Sequence, residues 1–167
     1  MDYNFKMDQL NKQRKDYIIE KLGLIQHPEG GYFTETYRTS EKIAELNRNI
    51  QTCIYFLLSG DDISRFHRIK SDEIWFFHEG SILTIHTIDA NGHQQHQLGP
   101  LNEDGCAPQI LITKDTIFGA TVDDSENFTL VSCTVAPGFD FEDFELMDRT
   151  LLLEKFPDNT DIIDRLT

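Results

Sequence analysis

The chain has 167 residues, of which 29 are acidic and 15 basic, and its formal net charge is −14. This surplus of carboxylates argues against nucleic acid and anionic membranes as partners, because both bind clustered lysine and arginine. The hydrophobic content of 39% is typical of a globular protein, and the length predicts a single domain over residues 1–167.

Residues 8–22 have the apolar spacing of an amphipathic helix, with Asp8 as its N-cap and Gly23 at its end. The first fifteen residues lack the apolar run of a signal peptide, and no stretch is apolar enough to span a membrane. The three widely spaced cysteines contain no Cys-x-x-Cys pair and are typical of reduced thiols. We therefore expect a cytoplasmic protein.

The sequence His27-Pro-Glu-Gly-Gly-Tyr32 precedes a strand predicted over residues 32–38. Its two glycines predict a turn or a bulge. Whether Glu29 and Tyr32 belong only to this turn or reach a ligand from a pocket lip stays open. Alternation places Arg38 on the face of Tyr32. Residues 40–50 are predicted to form a polar loop with at most one helical turn.

The rest of the chain up to about residue 137 has β character, with turn residues at 59–61 and 91–92. The predicted strands are 52–58, 73–78, 82–89, 94–98, 109–113, 116–120 and 128–136. Such short strands separated by turns predict an all-β sandwich or barrel, with its core at about residues 30–137.

Helices are predicted after the strands, over residues 139–147, 151–156 and 160–166. In the first of these, Phe139, Phe141 and Phe144 are expected to dock on the β domain. Its carboxylates are expected to face water, and Asp140 to cap the helix.

The stretch from Gly60 to Gly80 carries His67 and Glu73, six residues apart. Alternation after Glu73 places Trp75 and Phe77 on the same strand face as this carboxylate. A carboxylate among aromatic rings is typical of a pocket wall. The alternative is that Glu73 lies at a strand end and only the rings are buried.

This spacing resembles the first motif of the cupin superfamily, in which a glycine, two histidines, a glutamate and a second glycine follow one another. Gly60, His67, Glu73 and Gly80 match, whereas Ile69 stands where the second histidine belongs. The second motif is also recognisable, in a degraded form at residues 113–118.

From about residue 17 to residue 147 the chain resembles one branch, the cupins formerly grouped as a domain of unknown function. The similar segments include His27-Pro-Glu-Gly-Gly-Tyr32, Leu98-Gly-Pro100 and Cys133-Thr-Val-Ala-Pro-Gly138. The resemblance implies a single-domain jelly-roll β-barrel, a homodimer, and a ligand pocket in the lumen. This pocket is similar to those of deoxysugar-nucleotide epimerases, although most of the branch has no assigned reaction.

Many cupins bind a divalent metal through three histidines and one glutamate. Here Ile69 and Phe118 occupy two of those positions, and neither side chain can coordinate a metal. Only His67 and Glu73 remain, so no metal cofactor is predicted. A metallocupin with the reduced set of His67 and Glu73 stays an alternative.

Without a metal, His67 is the candidate general base and Glu73 the carboxylate that orients it. Tyr32 or Tyr37 would return a proton from the opposite face. The candidate ligand-binding residues are Tyr32, Arg38, Arg68, Trp75, Phe77 and Gln109. The two arginines are expected to hold a phosphate or a carboxylate in a bidentate manner.

The predicted function is therefore a metal-independent isomerase or epimerase that acts on a small, polar, sugar-like substrate. A non-catalytic protein that binds a small molecule in the same pocket is the second hypothesis, and the metallocupin is the third.

Overall fold

The structure, a computed structural model, describes residues 3–60 and 62–167. Asp61, part of the turn predicted at residues 59–61, lies outside the described residues. The elements, in chain order, are α1 (Tyr3–Leu22), β1 (Ile25–Gln26), β2 (Tyr32–Arg38), β3 (Lys42–Ile43), β4 (Arg48–Asn49), β5 (Thr52–Ser59), β6 (Ile63–Arg68), β7 (Asp72–Gly80), β8 (Leu83–Asp89), β9 (Gly92–Leu98), β10 (Gln109–Ile112), β11 (Ile117–Val122), β12 (Phe128–Ala136), β13 (Glu145–Leu146), α2 (Arg149–Lys155) and α3 (Thr160–Leu166).

Two antiparallel sheets build a jelly-roll-like sandwich. One has the strand order β1-β2-β5-β12-β7-β10 and the other β13-β6-β11-β8-β9. Side chains from both sheets meet in the main core, among them Phe56, Trp75, Ile85 and Phe118. The all-β prediction is confirmed, because alternating apolar residues give each sheet one face that is stable only against the other.

The helix α1 begins at Tyr3, so Asp8 lies inside it and the predicted N-cap was wrong. Its predicted end is confirmed. Gly23 has a φ of 64° and donates its N–H to the carbonyl oxygen of Glu20. The helix covers part of the outer face of the larger sheet through a cluster that contains Ile18, Leu24, Leu57, Phe128 and Leu130.

The strand β6 was not predicted, because the sequence Ile-Ser-Arg-Phe-His-Arg lacks an apolar alternation. It pairs with β11 in the five-stranded sheet, whereas β7 pairs with β12 in the six-stranded sheet. His67 in β6 and Glu73 in β7 therefore belong to facing sheets. The two side chains approach the lumen from opposite walls.

A bulge in β2 changes which residues face the lumen. Glu35 pairs with Ile54 and Tyr37 pairs with Cys53, so Thr36 is an extra residue in this strand. The extra residue reverses the alternation after it. The face predicted for Arg38 was therefore wrong: this side chain points to the lumen, as Glu35 does.

Two segments differ from the predicted elements. Residues 40–50 contain the hairpin of β3 and β4 in place of a loop. Residues 139–147 contain a 3-10 turn, Phe141–Asp143, followed by β13, and the predicted helix was wrong. Asp140 does cap this turn, by accepting a hydrogen bond from the N–H of Glu142.

The two C-terminal helices confirm the prediction with small shifts of their ends. They pack on the outer face of the five-stranded sheet, where α2 and α3 share a core cluster with Phe66 and Ile117. Within the two described ranges, no helix combines the length and the apolar character needed to cross a bilayer.

Candidate functional site

A cavity of about 220 Å³ opens between the two sheets. Its floor is formed by buried side chains, among them Glu29, His67, Glu73 and Trp75, which are 2–7% exposed. This volume is small beside the roughly 300–1,000 Å³ of pockets for drug-sized ligands. The cavity therefore suits a small molecule.

The carboxylate of Glu29 is the centre of a polar cluster in the floor. Its Oε2 lies 3.3 Å from Nε2 of His67 and 3.5 Å from Nδ1 of His27. Its Oε1 accepts a hydrogen bond of 2.8 Å from the hydroxyl of Ser64. A carboxylate this deeply buried is stabilised by hydrogen-bond donors, and the hydroxyl of Ser64 is one of them.

Two glycines bring Glu29 to this place. Gly30 has a φ of 117° and Gly31 a φ of 68°, conformations that L side chains rarely adopt. A Cβ on Gly30 would collide with the carbonyl oxygen of Ile63, so the turn can press against β6 only with glycine there. In that position the carbonyl of Glu29 accepts a hydrogen bond of 2.9 Å from the N–H of Arg65.

The hydrogen bonds of the two histidines indicate where their protons lie. Nδ1 of His67 is 2.7 Å from the carbonyl oxygen of Arg65, which only accepts, so Nδ1 carries a proton. Nε2 of His67 faces Oε2 of Glu29, so this contact is the place where the pair can take up a proton. Nδ1 of His27 accepts from the N–H of Glu29, and burial lowers the pKa of His27, so this ring is neutral.

Glu73 lies on the sheet that faces His67 across the cavity floor, and its carboxyl group is a neutral acid. Burial and the nearby negative charge of Glu29 raise the pKa of Glu73 to about 8. Cys133 and Trp75, which lie beside the carboxyl, oppose this rise only in part. Nε1 of Trp75 is buried close to the carboxyl group of Glu73, but no partner among the described residues forms a hydrogen bond of good geometry with it. The floor thus contains two adjacent donors, a carboxylic acid and an indole N–H.

The structure brings four of the candidate residues to the cavity, namely His67, Glu73, Trp75 and Arg38. The partner of His67 is not the one that the sequence predicted. Nε2 of His67 lies within 4 Å of a carboxylate oxygen of Glu29, and no such contact among the described residues joins His67 to Glu73. Glu73 is therefore not the residue that orients His67.

The other four candidate residues lie away from the cavity lining. Tyr32 packs on the cluster under α1, and Phe77 packs on the main core. Gln109 is exposed in the edge strand β10. Arg68 bonds through Nε to Oε2 of Glu145 at 2.7 Å. None of these side chains is placed to contact a ligand in the cavity.

Arg38 stands at the mouth of the cavity with its donors engaged. Nε and Nη2 bond to the two carboxylate oxygens of Glu35, at 2.9 and 2.6 Å. Nη1 donates to Oδ1 of Asn49 and to the carbonyl oxygen of Phe139, both at 3.0 Å. The expectation that Arg38 or Arg68 holds an anionic group is not supported, since each already binds a carboxylate.

Residues 139–144 form a covering segment over the mouth. Phe139, Phe141 and Phe144 line the cavity, as expected for rings that dock on the sheets. The expectation that all its carboxylates face water was wrong: Asp143 bonds to Nε of Arg48 at 2.6 Å, and Glu142 bonds to Nη2 of Arg48 at 3.0 Å. The hairpin that bears Arg48 thereby fixes the covering segment.

The residues present do not fit the metal that many cupins bind. The ring nitrogens of His67 are already taken by Arg65 and Glu29. The ring of Phe118 lies 4.2 Å from the ring of His67, in the position of a lost ligand. Among the residues that the structure describes, no group of three or more His, Cys, Asp or Glu side chains is arranged to hold a metal ion. The two motif positions that keep a ligand type, His67 and Glu73, fall short of the three or four ligands that tight sites use.

Sequence reasoning missed the central place of Glu29 and the role of His27. Both belong to the segment before β2, whose Gly30-Gly31 pair was the available signal. A glycine pair beside a histidine and a glutamate indicates a close backbone approach. It does not indicate which strand is approached, and that strand, β6, was itself not predicted.

Several known proteins are similar to this chain in sequence and in fold. The family described as cupin superfamily (DUF985) matches residues 16–147. The solved structure of protein SO0799 from Shewanella oneidensis is 40% identical, with a TM-score of 0.84, over 91% of this chain and 96% of that one. A hypothetical protein from Leishmania major is 33% identical, with a TM-score of 0.83, over 91% of this chain and 97% of that one. The yeast protein YML079W of Saccharomyces cerevisiae, described as uncharacterized, is 29% identical over 75% of this chain and 71% of its own length.

Proposed function

Because this chain belongs to the cupin superfamily, in its DUF985 family, we propose that its cavity is a metal-independent acid–base site. The reaction is the isomerisation or epimerisation of a small, polar, sugar-like carbonyl compound. One observation carries the proposal: a buried carboxylate–imidazole pair, Glu29 and His67, faces a carboxyl group of raised pKa, Glu73, across the same small cavity.

The pair of Glu29 and His67 takes the role of the base. It accepts the proton from the carbon next to the substrate carbonyl, and that proton is held between Oε2 and Nε2. In an isomerisation the same pair returns the proton to the neighbouring carbon, while Glu73 gives its proton to the carbonyl oxygen and takes one from the neighbouring hydroxyl. In an epimerisation the proton returns to the same carbon after the deprotonated intermediate has turned its other face to the pair. No other reactant is consumed, so the atoms and electrons balance.

Glu73 and Trp75 take the role of electrophilic donors. The acid O–H and the indole N–H point at the carbonyl oxygen, on which negative charge develops when the carbon is deprotonated. A carboxylic acid kept neutral near pH 7 can donate such a hydrogen bond. The missing partner of Nε1 in Trp75 supports this role, since a substrate oxygen would supply it.

A binding protein without catalysis is the second candidate, and one observation favours it. Both ring nitrogens of His67 have partners within the protein. A site that only binds a ligand can keep both of these contacts unchanged. A catalytic site needs a proton to enter and leave the contact between His67 and Glu29.

Solvent deuterium incorporation separates the two candidates. Neutral aldoses and ketoses are incubated with the protein in D₂O, and exchange at the carbon next to the carbonyl is followed by NMR. We expect exchange that falls about 100-fold or more in Glu29→Gln and in Glu73→Gln, the usual contribution of a general acid or base. Glu154→Gln, an exposed change in α2, is the matched control. Ligand binding with exchange no faster than in buffer would reject catalysis.

A homodimer and a cytoplasmic location complete the proposal. Both rest on the family resemblance and on the sequence. Light scattering tests the first, with twice the chain mass of 19.3 kDa as the expected result.

A further inference from the structure

We infer that the molecule handled in the cavity carries neither phosphate nor carboxylate and is an uncharged hydroxy-carbonyl compound. The carbonyl part of this inference rests on the proposed function. The charge part rests on the lining alone and is independent of any reaction.

The lining is rich in carboxyl groups and poor in free cations. Glu29, Glu35, Glu73 and Asp140 all contribute to it. In the described ranges, Arg38 is the single arginine or lysine of the lining, and its guanidinium is bonded on both edges. A phosphate or carboxylate would have to displace Glu35 from Arg38 and then remain in the same cavity as the carboxylates of Glu29 and Asp140.

Two further means of binding an anion, the N-terminus of an α-helix and a second arginine, are not directed at this cavity. The helices α1, α2 and α3 contribute no residue to the described lining, so no helix N-terminus points at a ligand. Arg48 lies outside the lining and binds the covering segment. The net charge of −14 adds a repulsive field for any anion that approaches.

The same lining suits an uncharged, oxygen-rich ligand. Phe33, Phe56 and Phe144 supply flat apolar walls for C–H groups. The indole N–H of Trp75 and the acid of Glu73 donate to a carbonyl oxygen, and the carboxylates accept from hydroxyl groups. Each polar group of such a ligand finds a partner without a charge being left unpaired.

Trp75 provides a direct test, because it is the only tryptophan of the chain and lies in the floor of the cavity. Its emission is followed while matched probes are added: glyceraldehyde and glyceraldehyde 3-phosphate, then dihydroxyacetone and its phosphate ester. We expect the uncharged member of each pair to bind at least about tenfold more tightly. Glu35→Gln removes a negative charge and releases Arg38, so this preference should shrink severalfold. Glu154→Gln makes the same charge change on the surface and should leave it unchanged.

Three results would overturn the inference. Equal or tighter binding of the phosphate esters would show that the cavity accepts anions. A change in emission with tetramethylammonium alone would reassign the cavity to organic cations. No response to any probe would reject the substrate class. Binding of the uncharged probes without deuterium exchange would reject the proposed function and keep the charge preference. Deuterium exchange in a phosphate ester would keep the proposed function and reject the charge preference.

Discussion

Oε2 of Glu29 lies 3.3 Å from Nε2 of His67, and this contact joins the turn before β2 to the strand β6. Both side chains are buried, so the pair acts on its surroundings through a medium of low polarity. Its effect extends to Glu73 on the facing sheet, whose pKa the charge of Glu29 helps to raise.

Glu29→Gln should lower the pKa of Glu73 from about 8 toward its ordinary value, because the neighbouring negative charge is removed. Burial remains, so the pKa stays raised in part. The midpoint is measured from the pH dependence of Trp75 emission. Glu35→Gln, at the mouth of the cavity, should leave the midpoint in place; an equal shift in both variants would contradict this assignment.

Stability should fall as the pH rises from about 4.5 to about 8, since the unfolded chain releases the Glu73 proton that the folded chain retains. The stabilisation is complete below the unfolded pKa of 4.5 and is lost as the pH passes through the folded pKa. The slope is at most about 1.4 kcal/mol per pH unit. Urea unfolding at intervals from pH 5 to 9 measures it. Glu73→Gln should remove this slope, and a variant that keeps it would contradict the prediction.

His86 should produce the opposite slope at acid pH. Burial lowers the pKa of His86 to about 4, with contributions from His93 and Arg165, and its ring bonds to Thr121. The stabilisation is present above the unfolded pKa of 6.5 and is lost as the pH falls through about 4, by at most about 1.4 kcal/mol per unit. In urea unfolding from pH 6.5 to 4.5, where the Glu73 slope has the opposite sign, the stability of His86→Gln should rise relative to that of the parent protein as the pH falls. Part of the acid slope remains, because burial also lowers the pKa of His93.

These two variants are controls for each other. Between pH 4.5 and 6.5 the two slopes oppose each other, whereas between pH 6.5 and 8 only the slope of Glu73 is present. His86→Gln should therefore leave the slope between pH 6.5 and 8 unchanged, and Glu73→Gln should remove it. If His86→Gln also flattened the slope above pH 6.5, the two slopes would not belong to separate residues.

Gly30→Ala should destabilise the fold and displace Glu29 from His67. The new Cβ would meet the carbonyl of Ile63, in addition to the left-handed backbone that Gly30 requires. Gly23→Ala is the matched control, because Gly23 is also left-handed but has no atom within 4 Å of its Cβ position. The control should lose about 1–2 kcal/mol in thermal or urea unfolding, and Gly30→Ala clearly more. Equal losses would show that the close approach to β6 is unimportant.

Arg48→Gln should loosen the covering segment, since Asp143 and Glu142 lose their shared partner. Acrylamide quenching of Trp75 measures access to the cavity and should increase severalfold. Arg149→Gln breaks a comparable ion pair, with Asp164, on the far C-terminal helices. If quenching rose equally in both variants, the effect would be a general loss of stability and not an opening of the mouth.

Local patterns in the sequence predicted most of the fold. The strand β12 and the helix end at Gly23 follow from alternation and from turn chemistry, which act over a few residues. The strand β6 carries no such pattern, because its residues Arg65 and His67 are polar yet serve the turn and the cavity. Whether this segment forms a strand depends on its contacts with segments that are distant in the sequence.

The candidate site was predictable only where residues share one strand. Glu73 and Trp75 were found together because alternation places them on one face. Glu29 was not assigned to His67, since their contact needs a close approach between a turn and an unpredicted strand. Arg38 was assigned to the wrong face, because a single extra residue, Thr36, reverses the alternation.

The covering segment continues without a break into β13, where Leu146 pairs with His67 itself and Met147 donates its N–H to the carbonyl of Phe66. The entrance to the cavity and the strand of the proposed base are thus parts of one continuous run of backbone. A substitution in this run that reshapes the entrance for a new ligand also pulls on the histidine beneath it. We therefore expect substitutions in this run to change the shape of the entrance and the position of His67 together.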